Sequence, residues 1–169
     1  LSGAYREQAE LLAEAGVDLI ALEMCSHPTR SRLAAQAALA TGLPVWLGLS
    51  CKRDGKAGFL AAFDHPQTPF DRLVDELAGC GAGVMNVMHS AIKDTPDGVA
   101  AVKRKWTGPI GVYPESGHFV MPHWQFVDII EPDDLVLEAR NWIASGVQII
   151  GGCCGLGVPH VRALKAAFA

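Results

Sequence analysis

Residues 149–160 read "IIGGCCGLGVPH": an apolar pair, two adjacent cysteines among four glycines, and the opening of a helix. A disulfide between neighbours strains the peptide joining them, so Cys153 and Cys154 are poor partners for each other. Side chains alternate faces on a regular strand, so adjacent thiols reach one ligand only if the backbone turns. Gly151, Gly152 and Gly155 allow such a turn. Zinc takes thiolate ligands, usually within a set of three or four protein donors, and the pattern reads as a metal site at a strand end. Two plainer readings compete. Cysteine is also a common small buried hydrophobe. A glycine-rich turn opening a helix can hold phosphate, although "GGCCGLG" has neither the lysine nor the spacing of a nucleotide loop.

The turn belongs to a repeating pattern. "SGAYREQAELLAEAG" reads as an amphipathic helix, capped by Ser2 and stopped by Gly16. Strand and helix then alternate: "VDLIALEM", "TRSRLAAQAALATG", "PVWLGLS", "FDRLVDELAGCG", "AGVMNVMHS", "TPDGVAAVKRKW", "GPIGVYPES", "EPDDLVLEARNWIASG", "VQIIGG" and "PHVRALKAAFA". "CKRDGKAG" and the residues up to Pro69 read as loop, as does the stretch after Ser116, rich in Phe, Pro, His and Trp. Gly16, Gly42, Gly81 and Gly146 each close a helix just before the next strand.

Continuously apolar strands alternating with helices mean a parallel sheet covered by helices, an α/β fold. Right-handed crossovers allow an open doubly wound sheet or a closed barrel. In both, reactive groups gather where strands end. Those ends carry Glu23, Cys25, Ser50, Cys51, Asn86, His89, Tyr113, Glu115, Ser116, Cys153 and Cys154. Cys80 falls at a helix end and reads as structural.

The chain has 169 residues, 50% of them hydrophobic and 19% charged, with a formal charge of -4. One domain over 1–169 with a sizeable core is expected. The acidic balance and the lack of a basic cluster argue against nucleic acid. No apolar run approaches the roughly 20 residues that cross a membrane. Five cysteines in a chain with an ample apolar core point to reduced thiols and a cytoplasmic setting. Leu1 is not an initiator methionine, so a processed chain or an excerpt is expected.

"VQIIGGCCGLGVPHVRAL" resembles the terminal motif of the homocysteine S-methyltransferase family. "AGVDLIALEM" resembles the family's strand bearing a substrate-binding glutamate, here Glu23. "PVWLGLSCKRDGK" is similar to the next strand and loop, and "IGVYPESG" to the family's Tyr-Pro-x-x-Gly strand end. The resemblance implies a (β/α)8 barrel of the TIM type, which usually needs about 250 residues. This chain would supply five strand–helix units, the last five-eighths of such a barrel. The absent front would carry a glycine-rich first strand with an acidic residue for homocysteine. Either the chain is an excerpt, or its open sheet edges need a partner, which makes a homo-oligomer an expectation.

The chemistry so implied is transfer of a methyl group from a small donor to the zinc-bound thiol of homocysteine, giving methionine. In the family a cysteine after an asparagine is the third zinc ligand; the matching pair here is Asn86-Val87, and valine binds no metal. His89 lies two residues on, on the same side of an extended strand and about 6.6 Å further along. It is the expected replacement, against the reading of His89 as a polar strand-end residue. Glu23 is expected to pair with the substrate ammonium, and Tyr113 and Ser116 to help bind the substrate. Cys51 and Cys25 are further candidates for the pocket. "GHFVMPHWQF" either shapes a donor pocket, since aromatic faces attract sulfonium and quaternary ammonium groups, or folds as a hydrophobic loop over the barrel end. Two alternatives stand beside this reading: a binding protein that has lost the complete metal site, and a methyltransferase for another thiol or selenol.

Overall fold

The computed structural model describes residues 1–169 except Asp54, Lys56, Ala57 and Trp124. What the loop readings at 51–58 and 117–126 rest on those residues therefore lies outside the described residues. In chain order the elements are α1 (Ser2–Glu14), β1 (Ile20–Cys25), α2 (Pro28–Leu39), β2 (Val45–Leu49), β3 (Cys51–Arg53), β4 (Leu60–Ala62), β5 (His65–Pro69) and α3 (Phe70–Leu77). There follow β6 (Val84–Ala91), α4 (Thr95–Lys103), β7 (Ile110–Glu115), β8 (His118–Val120), β9 (Gln125–Val127), α5 (Pro132–Ala144), β10 (Ile149–Ile150) and α6 (Val158–Phe168).

Among the described residues β1, β2, β6, β7 and β10 form one sheet in that order. Every neighbouring pair is parallel. Strands adjacent in sequence order are the barrel arrangement, whereas a doubly wound sheet reverses direction part-way. Gly16 and Gly146 close their helices as the pattern predicts, each following the C-cap at φ 80° and 99°, a left-handed conformation that costs a Cβ-bearing residue free energy; Gly81, also at φ 99°, lies three residues beyond the C-cap of α3. In α3, Phe70, Leu73, Val74 and Leu77 are all fully buried. Their spacing makes one helical stripe, and burying each such side chain contributes about 1.5–3 kcal/mol before chain entropy is counted.

The sheet's two faces differ. On the helix side Val87 and Cys51 pack over Gly98 of α4, where a Cβ would come within 2.8 Å of Val87 Cγ1 and 2.9 Å of Cys51 Sγ. On the other face the Tyr113 hydroxyl lies over Gly48, 2.5 Å from where a Cβ would stand. The glycine makes room for the phenol.

Two stretches read as loop are partly strand. β3, β4 and β5 form a three-stranded antiparallel sheet, and β8 and β9 form a hairpin with the rings of Phe119 and Phe126 5.8 Å apart. Turn-forming residues dominate both segments and mask their pairing. Ala61 and Ala62 are nonetheless buried, and buried backbone groups need hydrogen-bond partners, which the ladder supplies. The free edge of β1 lines, with α1 and α2, a groove of about 720 Å³. Among the described residues no helix is long and apolar enough to cross a membrane.

Candidate metal and thiol site

β10 is only two residues long, yet its ladder continues to the thiols. The Gly151 N–H donates to Val112 O (2.8 Å), the Cys153 N–H to Pro114 O (2.9 Å), and the Ser116 N–H to Cys154 O (3.0 Å). The chain then turns, with the Leu156 N–H on Cys153 O at 3.1 Å. Gly155 has φ 79°, and a Cβ there would collide with the Ser116 carbonyl oxygen. Gly151 and Gly152 serve differently from the expectation. Neither takes a positive φ; they leave room for Tyr113 and Leu156, whose Cβ atoms stand 3.3 and 2.8 Å from the added carbon.

The turn brings the thiols together. Cys153 Sγ lies 3.8 Å from Cys154 Sγ and 3.5 Å from His89 Nδ1. The donor atoms of the three residues lie within 4.8 Å of one another, the one such group of three among the described residues. Thiolates bound at about 2.3 Å to a tetrahedral zinc stand about 3.8 Å apart, and a thiolate and an imidazole nitrogen about 3.5 Å. The Cys153–Cys154 and Cys153–His89 separations match that ion, and the remaining pair lies within 4.8 Å. Burial pushes the Cys153 thiol up to about 11, with the adjacent Cys154 thiol and the Glu23 charge adding to the rise. Left alone it stays protonated at neutral pH; a bound cation reverses that preference.

His89 reaches the cluster by a route the extended-strand expectation does not contain. The β6–β7 register runs from Met88↔Tyr113 to Ala91↔Glu115, so β6 carries an extra residue, and His89 takes φ 42°. A bulge of this kind re-aims a side chain. Val87 and His89 consequently do not share a side: Val87 packs on α4, while the His89 ring meets Cys153. The other ring nitrogen, Nε2, lies 3.3 Å from Glu115 Oε2, and the Phe63 ring stands 4.8 Å away, edge to face. Neither Glu115 nor Phe63 had been assigned a role. Glu115 follows Tyr113 by two residues, a spacing that strand alternation places on the same face; Phe63 had no such signal, being in a stretch read as loop. Burial pushes the Glu115 carboxyl up, against the charges of His89 and Lys52.

The other expected residues are distributed unevenly. Glu23 is exposed on β1, and its charge adds to the rise that burial causes in both Tyr113 and Cys153. Glu23 itself lines the groove beside β1, α1 and α2. Ser116 is 8% exposed, and its Oγ accepts the Ile130 N–H at 2.8 Å. The Gly157 N–H donates to His160 Nδ1 (3.2 Å), leaving Nε2–H to donate to Ile130 O (2.8 Å). Ser116 and His160 thus pin residue 130 to the beginning of α6. Cys51 is fully buried with its Sγ 3.4 Å from Ser90 Oγ. Cys25 is buried as well, and Cys80 is half-buried beyond α3.

A sequential parallel sheet whose strand ends gather a His–Cys–Cys donor set describes a barrel-type α/β protein with a candidate metal site at its rim. The chain belongs to the homocysteine S-methyltransferase family, whose profile matches residues 1–168. It is similar to homocysteine S-methyltransferase 4 of Zea mays, 28% identical over 173 residues that cover 99% of this chain and 49% of that protein. It is also similar to a selenocysteine methyltransferase of Astragalus bisulcatus, 23% identical over 95% of this chain and 47% of that one. Among solved structures, the metallated form of the homocysteine methyltransferase MmuM from Escherichia coli superposes with a TM-score of 0.73 at 25% identity, covering 98% of this chain and 52% of that chain. The chain spans about half the length of the curated relatives it matches.

Proposed function

We propose that Cys153, Cys154 and His89 hold zinc, and that the protein moves a methyl group from a small donor to the thiol of homocysteine, giving methionine. The observation that carries this is the convergence of two thiols and an imidazole nitrogen within 4.8 Å, with both Cys153 separations at the spacing of a tetrahedral site. Bound there, zinc would keep a substrate thiol, whose free pKa is about 8.5, as the nucleophilic thiolate. The chain's own residues do the rest. Glu23 accepts the substrate ammonium, which aligns the amino acid with its sulfur towards the paired thiols. Tyr113 helps to bind the substrate, and Ser116 holds the Cys154 carbonyl through its backbone N–H. Residues 1–169 act as one domain, five of the eight units of a barrel. Further units of a longer chain, or a second copy, cover the free edge of β1. A reducing, cytoplasmic setting suits the proposal, because paired thiols bind metal only while reduced.

A second reading, transfer to a selenol, has its support in the likeness to the Astragalus bisulcatus protein. Metal analysis of protein purified without chelators, joined to methyl-transfer assays, tests both. Homocysteine and selenocysteine would each be offered with S-methylmethionine, S-adenosylmethionine, betaine and methylfolate. Equimolar zinc with methionine formation is the expected result. Homocysteine affinity without zinc or turnover would instead favour a binding protein.

A further inference from the structure

The His89 imidazole sits between two unlike neighbours: Nδ1 is 3.5 Å from Cys153 Sγ and Nε2 is 3.3 Å from Glu115 Oε2. A neutral imidazole carries one N–H and one lone pair, and a carboxylate oxygen only accepts. A proton on Nε2 would be offered to that carboxylate and would leave the Nδ1 lone pair to the thiols. The opposite tautomer would set a lone pair against the carboxylate. Register and ring packing hold this arrangement. The extra residue in β6 falls just where β7 ends in Glu115, and the Phe63 ring, 4.8 Å from the imidazole, limits its rotation.

We propose that Glu115 is a positioning residue for the metal centre: it accepts the Nε2–H of His89 and so commits Nδ1 to a cation held by Cys153 and Cys154. The inference rests on the zinc reading above and adds the reason an imidazole can serve where the family resemblance implies a third cysteine. A thiolate brings its own charge and binds from a range of directions. An imidazole is neutral and binds only along its ring plane, so it needs a partner to orient it, and a carboxylate raises its basicity as well. Two thiolates, an imidazole and one carboxylate also carry the same total charge as three thiolates.

Zinc affinity by chelator competition, and the ¹⁵N shifts of the His89 ring in metal-free protein, test this on the wild type, Glu115→Ala and Glu115→Gln. Glu115→Ala is expected to weaken zinc binding about 10- to 100-fold, the usual effect of losing an outer-shell partner, and to let the Nδ1–H tautomer appear. Glu115→Gln keeps an acceptor oxygen and should recover most of the loss. An Nδ1–H ring in the wild-type protein, or wild-type affinity and tautomer in Glu115→Ala, overturns the proposal. Failure of the wild-type protein to bind zinc sinks the metal reading itself; the ring tautomer, measured without metal, still decides whether Glu115 orients His89.

Discussion

At the ends of β1 and β2, Cys25 and Cys51 are 5% and 0% exposed, each inside a packed layer. At the end of β10, Cys153 and Cys154 are half-buried and stand beside an imidazole. Burial pushes Cys25 up to about 11 and Cys51 up to about 12. Burial likewise dominates the rise at Cys153, where a second thiol adjoins it. The two regions share residue type and strand-end position, so neither property makes a thiol chemically useful. The difference lies in the backbone. Cys51 continues into a paired strand, which holds its side chain over Gly98. Cys153 and Cys154 precede a glycine turn that leaves the sheet, and their side chains turn towards a third donor.

The sharpest way to break this comparison is to remove the thiols singly. Cys153→Ser or Cys154→Ser is expected to abolish zinc retention and methyl transfer together, read by metal content and a radiolabelled methyl assay. Cys25→Ala and Cys51→Ala should cost stability while keeping the metal. Retained zinc in both serine variants would place the centre elsewhere.

His89→Ala should weaken zinc binding by at least about 100-fold, since losing a ligand costs no less than losing an outer-shell partner. Introducing Val87→Cys into that background tests which position faces the rim. A regular strand would let the new thiol restore the site, but Val87 packs on α4, so no recovery is expected. Recovered affinity would mean that β6 shifts its register when metal binds.

Glu23→Gln carries a smaller expected effect. Losing a charged partner of the substrate ammonium costs about 1.5 kcal/mol, roughly tenfold in homocysteine affinity, with zinc content unchanged. Calorimetry on the zinc-loaded protein measures both. Unaltered affinity would make Glu23 a surface carboxylate with no part in binding.

The pH dependence of stability sharpens the contrast from the other side. Cys25 and Cys51 are held protonated in the fold, with values raised from 9.0 to about 11 and about 12. The unfolded chain loses those protons first, so stability is fully present below about pH 9 and falls as pH rises towards the folded values. Denaturant melts between pH 8 and 11 should show the decline, and Cys51→Ala should flatten it. An unchanged slope in that variant would assign the alkaline instability to other groups.

Local signals were legible in the chain itself. Helices closed by Gly16 and Gly146 announce strand after helix, because a left-handed residue after the C-cap is a property of a few neighbouring residues. The parallel sheet and the rim position of the paired cysteines were expected from that alternation, whereas the sequential strand order was expected only once the family resemblance was added. β3, β4 and β5 were not legible, since their stability comes from pairing across residues rich in turn formers. The direction of His89 was legible only up to its strand. Strand alternation carries a side chain's facing reliably while pairing is regular, and here pairing breaks at the bulge.

The sequence alone determined the order of elements, the glycine turn, and the presence of two thiols at a strand end, all consequences of short-range chemistry. Only the tertiary structure decided that His89 rather than Val87 faces those thiols, and that Glu115 stands behind the ring. The register between β6 and β7 sets where the extra residue falls. Register is a property of two strands packed together, and neither strand encodes it by itself.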